Sequence, residues 1–318
     1  MSRGIGRVVA AAGAVAITVA LVAGCASSSS AAASKEGSTS PTKLVFAAVP
    51  SENNEDMENQ YHKIIKAMEK DLGVTIEFRA TTSYAAVGEG LRSGKIDLAL
   101  LGPFSYVVAK NQGAKIEPLV AEIKRKGAVP SYQSYGITAA GRSDITSLKD
   151  FKGKKVCYVD PISTSGYLFP AAGLLSSGID PQKDVQGQFA GGHDLSALAV
   201  KNGQCDAGFA FDDMVNKTLI AKGLLKPGEL KVVWKSDQIP GSPVAIRSSF
   251  AASFKSKLAD ELVKLNVDYF VQTGDCIAGD VNCGPDGGIY GYAKVDDTFY
   301  DPIRVVCDKT KLPSCNTL

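Results

Sequence analysis

The chain has 318 residues, which is longer than one ordinary domain and suits two. Its 35 basic and 33 acidic side chains nearly cancel, giving a formal net charge of +2 at pH 7. This balance argues against nucleic acid or another polyanion as a partner, so any anion must be bound by a local site.

The first 24 residues have the pattern of an export signal. Arg3 and Arg7 form a basic start, and residues 8–23 form an apolar stretch that is too short and too weakly flanked to span a membrane. The stretch leads into the sequence LVAGC, which resembles a bacterial lipobox whose cysteine, here Cys25, is lipidated and begins the mature chain. We therefore predict a lipoprotein signal peptide over residues 1–24, with plain secretory cleavage as the weaker alternative.

A flexible tether is expected next. Residues 25–42 are rich in Ser, Ala, Gly and Pro and offer almost nothing to bury. Acyl chains on Cys25 would hold the protein on a membrane surface at about 0.8 kcal/mol per buried methylene. Removing the signal peptide takes away Arg3 and Arg7 and no acid, so the mature chain is neutral. We predict an extracytoplasmic protein that a lipid anchors to the bacterial cell membrane.

The remaining cysteines predict disulfides. Six of them follow Cys25, an even number in an oxidising compartment. The sequence alone permits several pairings, but short loops favour two local pairs and leave a third that requires neighbouring strands. A zinc site is the competing interpretation, and it lacks a paired C-x-x-C pattern or nearby histidines, so we expect no metal. The favoured pairs are Cys276–Cys283, Cys307–Cys315 and Cys157–Cys205.

From residue 43 onward, apolar runs that predict strands alternate with helically spaced apolar residues that predict helices. This alternation indicates an α/β lobe with a mostly parallel sheet flanked by helices. In such sheets ligands bind at the carboxyl ends of strands, where Tyr84, Ser105 and Tyr106 lie. The predicted strands span residues 43–50, 74–79 and 96–101, and predicted helices cover 61–72 and begin near 84 and 104.

A second lobe repeats the alternation. An extended run at residues 129–137 marks a first crossing between lobes, and residues 239–243 mark the return. We predict lobe 1 over residues 43–134 and 239–318 and lobe 2 over 135–238, joined as a hinged clamshell. The further predicted elements are strands at 156–159, 185–190, 206–211 and 230–234, helices at 168–175, 196–201 and 251–270, and an irregular, disulfide-stapled remainder.

Three hydroxyl side chains, Ser163, Thr164 and Ser165, lie where a predicted strand leads into a predicted helix. A helix start has unpaired N–H groups and a partial positive charge, so it attracts anions. One hydroxyl there is an ordinary helix cap, whereas three in a row indicate a cradle for a tetrahedral oxyanion. His193 and Asp213 follow the ends of neighbouring predicted strands, so we expect them to face the same crevice.

A hydrolase is the enzymatic alternative. Ser165, His193 and Asp213 are in principle a nucleophile, a base and an acid. The sequence has no G-x-S-x-G elbow around a serine, and it has no glycine-rich phosphate loop of the right spacing. We therefore predict that the protein is not an enzyme.

The segment DPISTSGYLFP, residues 160–170, resembles the signature of PhnD-like binding proteins of phosphonate, phosphite and phosphate ABC transporters. Further matching motifs are YAAVGEGLR from Tyr84, GH at His193 with ALAV at residues 197–200, WKS with IPG at residues 234–241, and PIR at residues 302–304. Their order and spacing match along essentially the whole mature chain. The resemblance implies a two-lobed type II periplasmic-binding-protein fold.

The resemblance also implies site roles. The hydroxyls of Ser163, Thr164 and Ser165 would hold the oxyanion, Tyr84 and His193 would complete the shell, and Tyr106 is a further candidate. Asp213 matches an acid that binds the ammonium group of aminoalkylphosphonates in such proteins.

Two departures bear on the ligand. Ser242 replaces a second acid, and Leu101 replaces a tyrosine for which Tyr106, Tyr132 or Tyr135 could compensate. A buried ammonium needs charged partners, so the lost acid favours phosphite, phosphate or a short alkylphosphonate.

The function so implied is capture without chemistry. We expect a monomer without a cofactor that delivers its ligand to an ABC permease with its ATPase. The alternative is a ligand-sensing lipoprotein that signals to a membrane receptor, and a hydrolase is less favoured.

Overall fold

The computed structural model describes residues 41–52, 54–280, 283–285 and 288–315. The predicted signal peptide, the lipidation site Cys25 and nearly all of the predicted tether lie outside these residues. In the part of the chain that is described, no helix is long and apolar enough to cross a membrane.

The strands follow the alternation expected from the sequence, with additional strands before and near the two crossings and one, β13, in the stretch that was expected to be irregular. In chain order they are β1 (Lys43–Ala48), β2 (Thr75–Phe78), β3 (Leu98–Leu100), β4 (Ile116–Ile123), β5 (Ser131–Tyr132), β6 (Ser134–Ala139), β7 (Lys155–Tyr158), β8 (Gln186–Phe189), β9 (Ala207–Phe211), β10 (Leu230–Lys235), β11 (Ile239–Pro240), β12 (Pro243–Arg247) and β13 (Gly291–Lys294).

The helices flank the strands. They are α1 (Asn54–Leu72), α2 (Tyr84–Arg92), α3 (Pro103–Asn111), α4 (Phe169–Ser176), α5 (His193–Lys201), α6 (Leu219–Ala221), α7 (Ala252–Lys264), α8 (Val267–Gln272) and α9 (Asp301–Thr310). Short 3-10 helices lie at Leu148–Phe151, Asp297–Tyr300 and Pro313–Cys315, and the π-helical turns Thr164–Leu168 and Met214–Thr218 lead into α4 and α6.

Local sequence explains several of these boundaries. Ser83 caps α2 because its hydroxyl accepts the N–H of Ala86 at 3.2 Å. Pro103 lies in the first turn of α3, where its missing N–H costs nothing. After α1 the backbone turns at Gly73 with φ of 70°, a conformation that glycine adopts without a side-chain clash.

The strands form two mixed sheets. The first has the order β13-β4-β12-β3-β1-β2. In it β1 runs parallel to β2 and β3, β12 runs antiparallel to β3 and β4, and β13 runs antiparallel to β4. The second has the order β10-β6-β9-β7-β8, in which β7 runs parallel to β8 and β9 while β6 pairs antiparallel with β9 and β10. The α/β class is confirmed, but the prediction of mostly parallel sheets was wrong, because β6 and β12, the strands that begin just after the two crossings, and also β13 run opposite to the other strands of their sheets.

The crossings themselves run side by side. β5 and β11 form a two-stranded antiparallel ladder in which Tyr132 pairs with Ile239 and Ser131 with Pro240. We call the first sheet with its helices the first lobe and the second sheet with its helices the second lobe. The first lobe takes its strands from both sides of the segment that builds the second.

Two predictions at the C-terminal end were wrong. The long helix expected over residues 251–270 is divided into α7 and α8, because Leu265 has a ψ of 85° and the Asn266 side chain caps α8 by accepting the N–H of Tyr269. Residues 301–310, expected to be irregular, form α9, which has a proline in its first turn.

All three favoured disulfides are present, and this prediction is confirmed. Cys157 lies in β7 and Cys205 just before β9, and these two strands are paired neighbours. The other bonds close short loops, Cys276–Cys283 and Cys307–Cys315.

A buried aromatic layer supports the second lobe. The rings of Tyr158 in β7 and Phe209 in β9 stack with centroids 5.6 Å apart and an interplanar angle of 8°, and Phe151 packs against Phe209. Aromatic contacts of this kind contribute beyond the apolar area they bury. This layer fixes the ends of β7 and β9, from which the site residues project.

Candidate ligand-binding site

A cavity of about 140 Å³ lies between loops of the two lobes. It is smaller than the roughly 300–1,000 Å³ of pockets that hold drug-sized molecules, so it suits a small ion. Six of the seven predicted binding residues line it, namely Tyr84, Ser163, Thr164, Ser165, His193 and Asp213.

The three hydroxyls occupy the start of a helical segment, as expected. Ser163 precedes the π-helical turn and its Oγ accepts the N–H of Gly166 at 3.1 Å. Thr164 Oγ1 accepts the N–H of Phe104, at the start of α3 in the first lobe, at 2.9 Å. Ser163, Thr164 and Ser165 are each at most 2% exposed. A hydroxyl that accepts one bond still has its own hydrogen to donate, so the cradle can offer donors to an oxyanion.

Two buried tyrosines adjoin the cradle. The Tyr84 hydroxyl bonds with the side chain of Ser163, and the Tyr132 hydroxyl bonds with those of Ser165 and Thr164. Burial raises the pKa of both phenols well above the ordinary value of 10, so they stay protonated. Both can therefore act as hydrogen-bond donors at any physiological pH.

Tyr132, rather than Tyr106 or Tyr135, is the tyrosine that lines the cavity beside Leu101. Tyr106 is a correction to the predicted site. It lies in the core, where its hydroxyl donates to Asp297 Oδ1 at 2.5 Å, because its position on α3 directs the side chain away from the cavity. The hydroxyl of Tyr135 accepts a bond from Asn216 Nδ2 at 3.2 Å.

His193 begins α5 with its ring buried against the cradle. Its Nδ1 accepts the backbone N–H of Phe211 at 3.2 Å, and its Nε2 lies 3.4 Å from Ser163 Oγ. An Nδ1 that accepts carries no proton, so the neutral ring carries it on Nε2, which can donate into the cavity. Burial lowers the pKa of His193 to about 3. The ring is therefore a neutral donor.

The buried ring should make stability depend on pH. Unfolded His193 titrates near 6.5, whereas the folded ring resists protonation down to about 3. As pH falls between these values the unfolded chain gains a proton that the folded chain does not, so the free energy of unfolding should fall by up to about 1.4 kcal/mol per pH unit. Urea unfolding of ligand-free protein from pH 4 to 8 measures this slope. His193→Asn, which keeps an acceptor for the Phe211 N–H and cannot titrate, should flatten it, and an equal slope in both proteins would contradict the assignment.

Asp213 lines the cavity but is already paired. Its Oδ2 lies 3.1 Å from Lys124 Nζ, and its Oδ1 lies 3.3 Å from Lys217 Nζ. Asp212 Oδ2 lies 2.6 Å from the same Lys124 nitrogen. Sequence reasoning missed Lys124, because it opens the charged run KRKG, a pattern typical of an exposed turn. Ser242, which stands where the resembling proteins have a second acid, also lines the cavity.

Further contacts join the lobes around the cavity. The His193 N–H donates to Ser51 O at 2.9 Å, and Ser105 Oγ donates to Ile162 O at 3.1 Å. The Asp160 carboxylate accepts the N–H of Tyr84 at the start of α2, while burial raises its pKa. Lys222 Nζ lies 2.5 Å from Glu52 Oε2. These bonds all link residues of opposite lobes, so the lobes are held together around the cavity.

The hydrolase arrangement is not assembled here. A base must present an unprotonated nitrogen to the nucleophile, whereas the inward-facing Nε2 of His193 carries the proton. Its Nδ1 is bonded to the backbone N–H of Phe211, where a triad requires a carboxylate. The geometry therefore suits a hydrogen-bond donor better than a base.

Comparison with known proteins places these features in context. Residues 46–298 match the sequence model of a family described as the periplasmic substrate-binding protein of a phosphonate ABC transporter. The chain is 46% identical over 305 residues to the phosphate-import protein PhnD of Mycolicibacterium smegmatis, covering 93% of this chain and 95% of that one.

Solved structures agree in fold. The chain is similar to the binding protein component of an ABC phosphonate transporter from Pseudomonas aeruginosa, with 25% identity and a TM-score of 0.73 over 86% of this chain and 87% of that one. It also shares the fold of PhnD1 from Prochlorococcus marinus in complex with methylphosphonate, with 19% identity and a TM-score of 0.69 over 86% of this chain and 99% of that one.

Proposed function

The chain belongs to the family of periplasmic substrate-binding proteins of phosphonate ABC transporters, and we propose that its cavity captures phosphite, phosphate or a short alkylphosphonate for delivery to an ABC permease with its ATPase. The observation that carries this proposal is the cluster of buried hydroxyl donors at Ser163, Thr164 and Ser165, beside the phenols of Tyr84 and Tyr132. Hydrogen bonds to charged groups contribute about 1.5–3 kcal/mol each, which is enough for neutral donors to hold an oxyanion.

The choice of ligand class follows from size and charge. The cavity of about 140 Å³ leaves little room beyond a tetrahedral oxyanion. Phosphate is in the printed name of the mycobacterial relative, and methylphosphonate is bound in the Prochlorococcus structure. Both fit the donors that this chain presents.

We further propose that the lobes close on the ligand and open without it. Phe104, Ser51 and Tyr84 of the first lobe all bond to second-lobe residues around the cavity, so these bonds form only when the lobes meet. Lipidation of Cys25 would keep the protein beside its permease, and the LVAGC sequence supports it. We propose that the protein acts as a monomer.

A thermal-shift panel of phosphate, phosphite, hypophosphite and methylphosphonate tests the proposed function. A ligand that binds only the folded state at about a hundred times its Kd adds about 2.7 kcal/mol of stability. At least one of these anions should therefore raise the Tm clearly above that in matched chloride. No shift with any of them would overturn the proposal.

A substitution at Thr164 tests the role of the hydroxyl cradle. Thr164→Ala should raise the Kd of the best ligand from the panel by about ten- to a hundredfold, because a charge-assisted bond is lost and the Phe104 N–H loses its acceptor. Calorimetric titration measures this change. Thr164→Ser retains the hydroxyl and should stay within a fewfold of the unmodified protein. Unaltered affinity in the alanine variant would remove Thr164 from the site.

A further inference from the structure

We propose that Lys124 sets the specificity of the site, acting as a built-in ammonium group that excludes phosphonates carrying an amine. The proposal rests on the proposed function and deepens it. It concerns the end of the cavity beyond the hydroxyl cradle, where Asp213 lies and where Lys124 lines the wall.

Charged side chains pair with one another at this end of the cavity. Lys124 Nζ lies between two carboxylates, 2.6 Å from Asp212 Oδ2 and 3.1 Å from Asp213 Oδ2. The side chains of Lys124, Asp212 and Asp213 are 23%, 14% and 16% exposed, so all three are largely withdrawn from water. A carboxylate in this setting needs a cation, and Lys124 supplies one for both. Lys217 is a second, more exposed partner of Asp213 at 3.3 Å.

A ligand that carries an amine would compete with Lys124. An aminoalkylphosphonate held by the cradle would direct its ammonium group to Asp213, the carboxylate of this pair that lines the cavity. It would have to displace Lys124 from this carboxylate. The two ammonium groups would then repel each other at close range, and Lys124 would have lost part of its pairing. The site therefore already contains the cation that such a ligand would bring, and the amine gains nothing by entering.

The nitrogen of Lys124 retains N–H groups that it can offer to a ligand. It makes ion pairs with the two carboxylates but no well-directed hydrogen bond to any residue that the structure describes. The short nitrogen–oxygen distances hold the ammonium beside the carboxylates, and the ammonium can still rotate about its bond to the side chain. Its N–H groups can thus turn toward an oxyanion, which makes the same residue attractive to a simple anion.

Lys124 also limits the space at this end of the cavity. A second cavity, of about 360 Å³, shares Lys124 and Tyr132 with the first in its lining and also contacts Asp212. Lys124 therefore stands between the two cavities. Shortening its side chain would both remove the cation that the two carboxylates share and lengthen the space available to a ligand tail.

The test compares ethylphosphonate with 2-aminoethylphosphonate, two ligands that differ by one amine. Calorimetric Kd values are measured for the unmodified protein and for Lys124→Ala and Lys217→Ala. The unmodified protein should bind the amine no better than ethylphosphonate. In Lys124→Ala the ratio of the two Kd values should shift by about ten- to a hundredfold toward the amine, because a charge-assisted pair becomes available. Lys217→Ala, which removes the exposed partner of Asp213 only, should leave the ratio unchanged.

The outcomes separate the two proposals. Equal ratios in the unmodified protein and Lys124→Ala would overturn the role of Lys124 and leave oxyanion capture standing. A protein that binds neither of these phosphonates nor any anion of the thermal-shift panel would overturn both. If Lys124→Ala does not fold, Lys124→Met, which keeps the apolar stem, replaces it, and Lys124→Arg, which keeps the charge, should still reject the amine.

Discussion

Replacing Gly166 with alanine is expected to abolish measurable oxyanion binding. A Cβ at this position would lie 2.3 Å from Val159 Cβ and 2.7 Å from Ser163 Oγ, both far inside contact distance. Val159 cannot turn away, because its Cβ is fixed to the backbone. Gly166 also connects the cradle to the end of β7, since its N–H donates to Ser163 Oγ and its carbonyl accepts the N–H of Val159 at 3.2 Å. The helix start must therefore move away from β7 and carry the hydroxyls with it.

The effects on stability and binding can be measured separately. Overpacking of this kind costs about 1–3 kcal/mol in the free energy of unfolding, which urea titration detects. Binding should fall by more than about a hundredfold, since several donors are displaced together. Gly141→Ala is the matched control, because a Cβ there meets nothing within 4 Å. Near-normal affinity in Gly166→Ala would mean that the cradle tolerates displacement and that its geometry is not what selects the ligand.

The cradle could be predicted from sequence because its chemistry is local. Ser163, Thr164 and Ser165 are consecutive, and strand-then-helix patterning alone places them at a helix start. Tyr84 and His193 could be placed for the same reason, since each follows a strand and opens a helix. In each case the residue and the element that positions it are within a few residues of each other.

The rest of the site depends on contacts between distant segments. Tyr132 reaches the cradle because β5 pairs with β11, more than a hundred residues later, and the local sequence left it as one of three candidate tyrosines. Lys124 follows β4, a strand that sequence reasoning missed because Pro118 interrupts it at a register shift in its pairing with β12. The pairing of Asp213 with Lys124 likewise joins residues of the two lobes, whereas its second partner, Lys217, is local.

The fold shows the same division. Buried strands and capped helices followed from composition and periodicity, whereas strand direction did not, because it depends on where the chain reverses at the crossings. The disulfides could be predicted partly from local and partly from long-range features. Short loops indicated two pairs, and the third, Cys157–Cys205, needed β7 and β9 to be neighbours. This third bond is the one whose loss should be felt most.

Removing the Cys157–Cys205 bond by replacing both cysteines with alanine should cost about 4 kcal/mol in the free energy of unfolding. The bond spans 48 residues, and the loop-entropy relation gives this value for a loop of that length. The matched control removes Cys307–Cys315, which spans 8 residues and should cost only about 2.5 kcal/mol. Urea unfolding of both variants at one pH measures the difference.

Ligand affinity should respond differently from stability in this variant. β7 and β9 remain paired through the backbone at Val156 and Ala207 when the sulfurs are removed, so the cradle and Asp213 keep their positions in molecules that are folded. The Kd of the best oxyanion should stay within a fewfold of the unmodified value under conditions where the variant is fully folded. Equal losses of stability from the long and short bonds would contradict the loop argument. A large loss of affinity would instead mean that the disulfide, and not strand pairing alone, holds the two sides of the site in register.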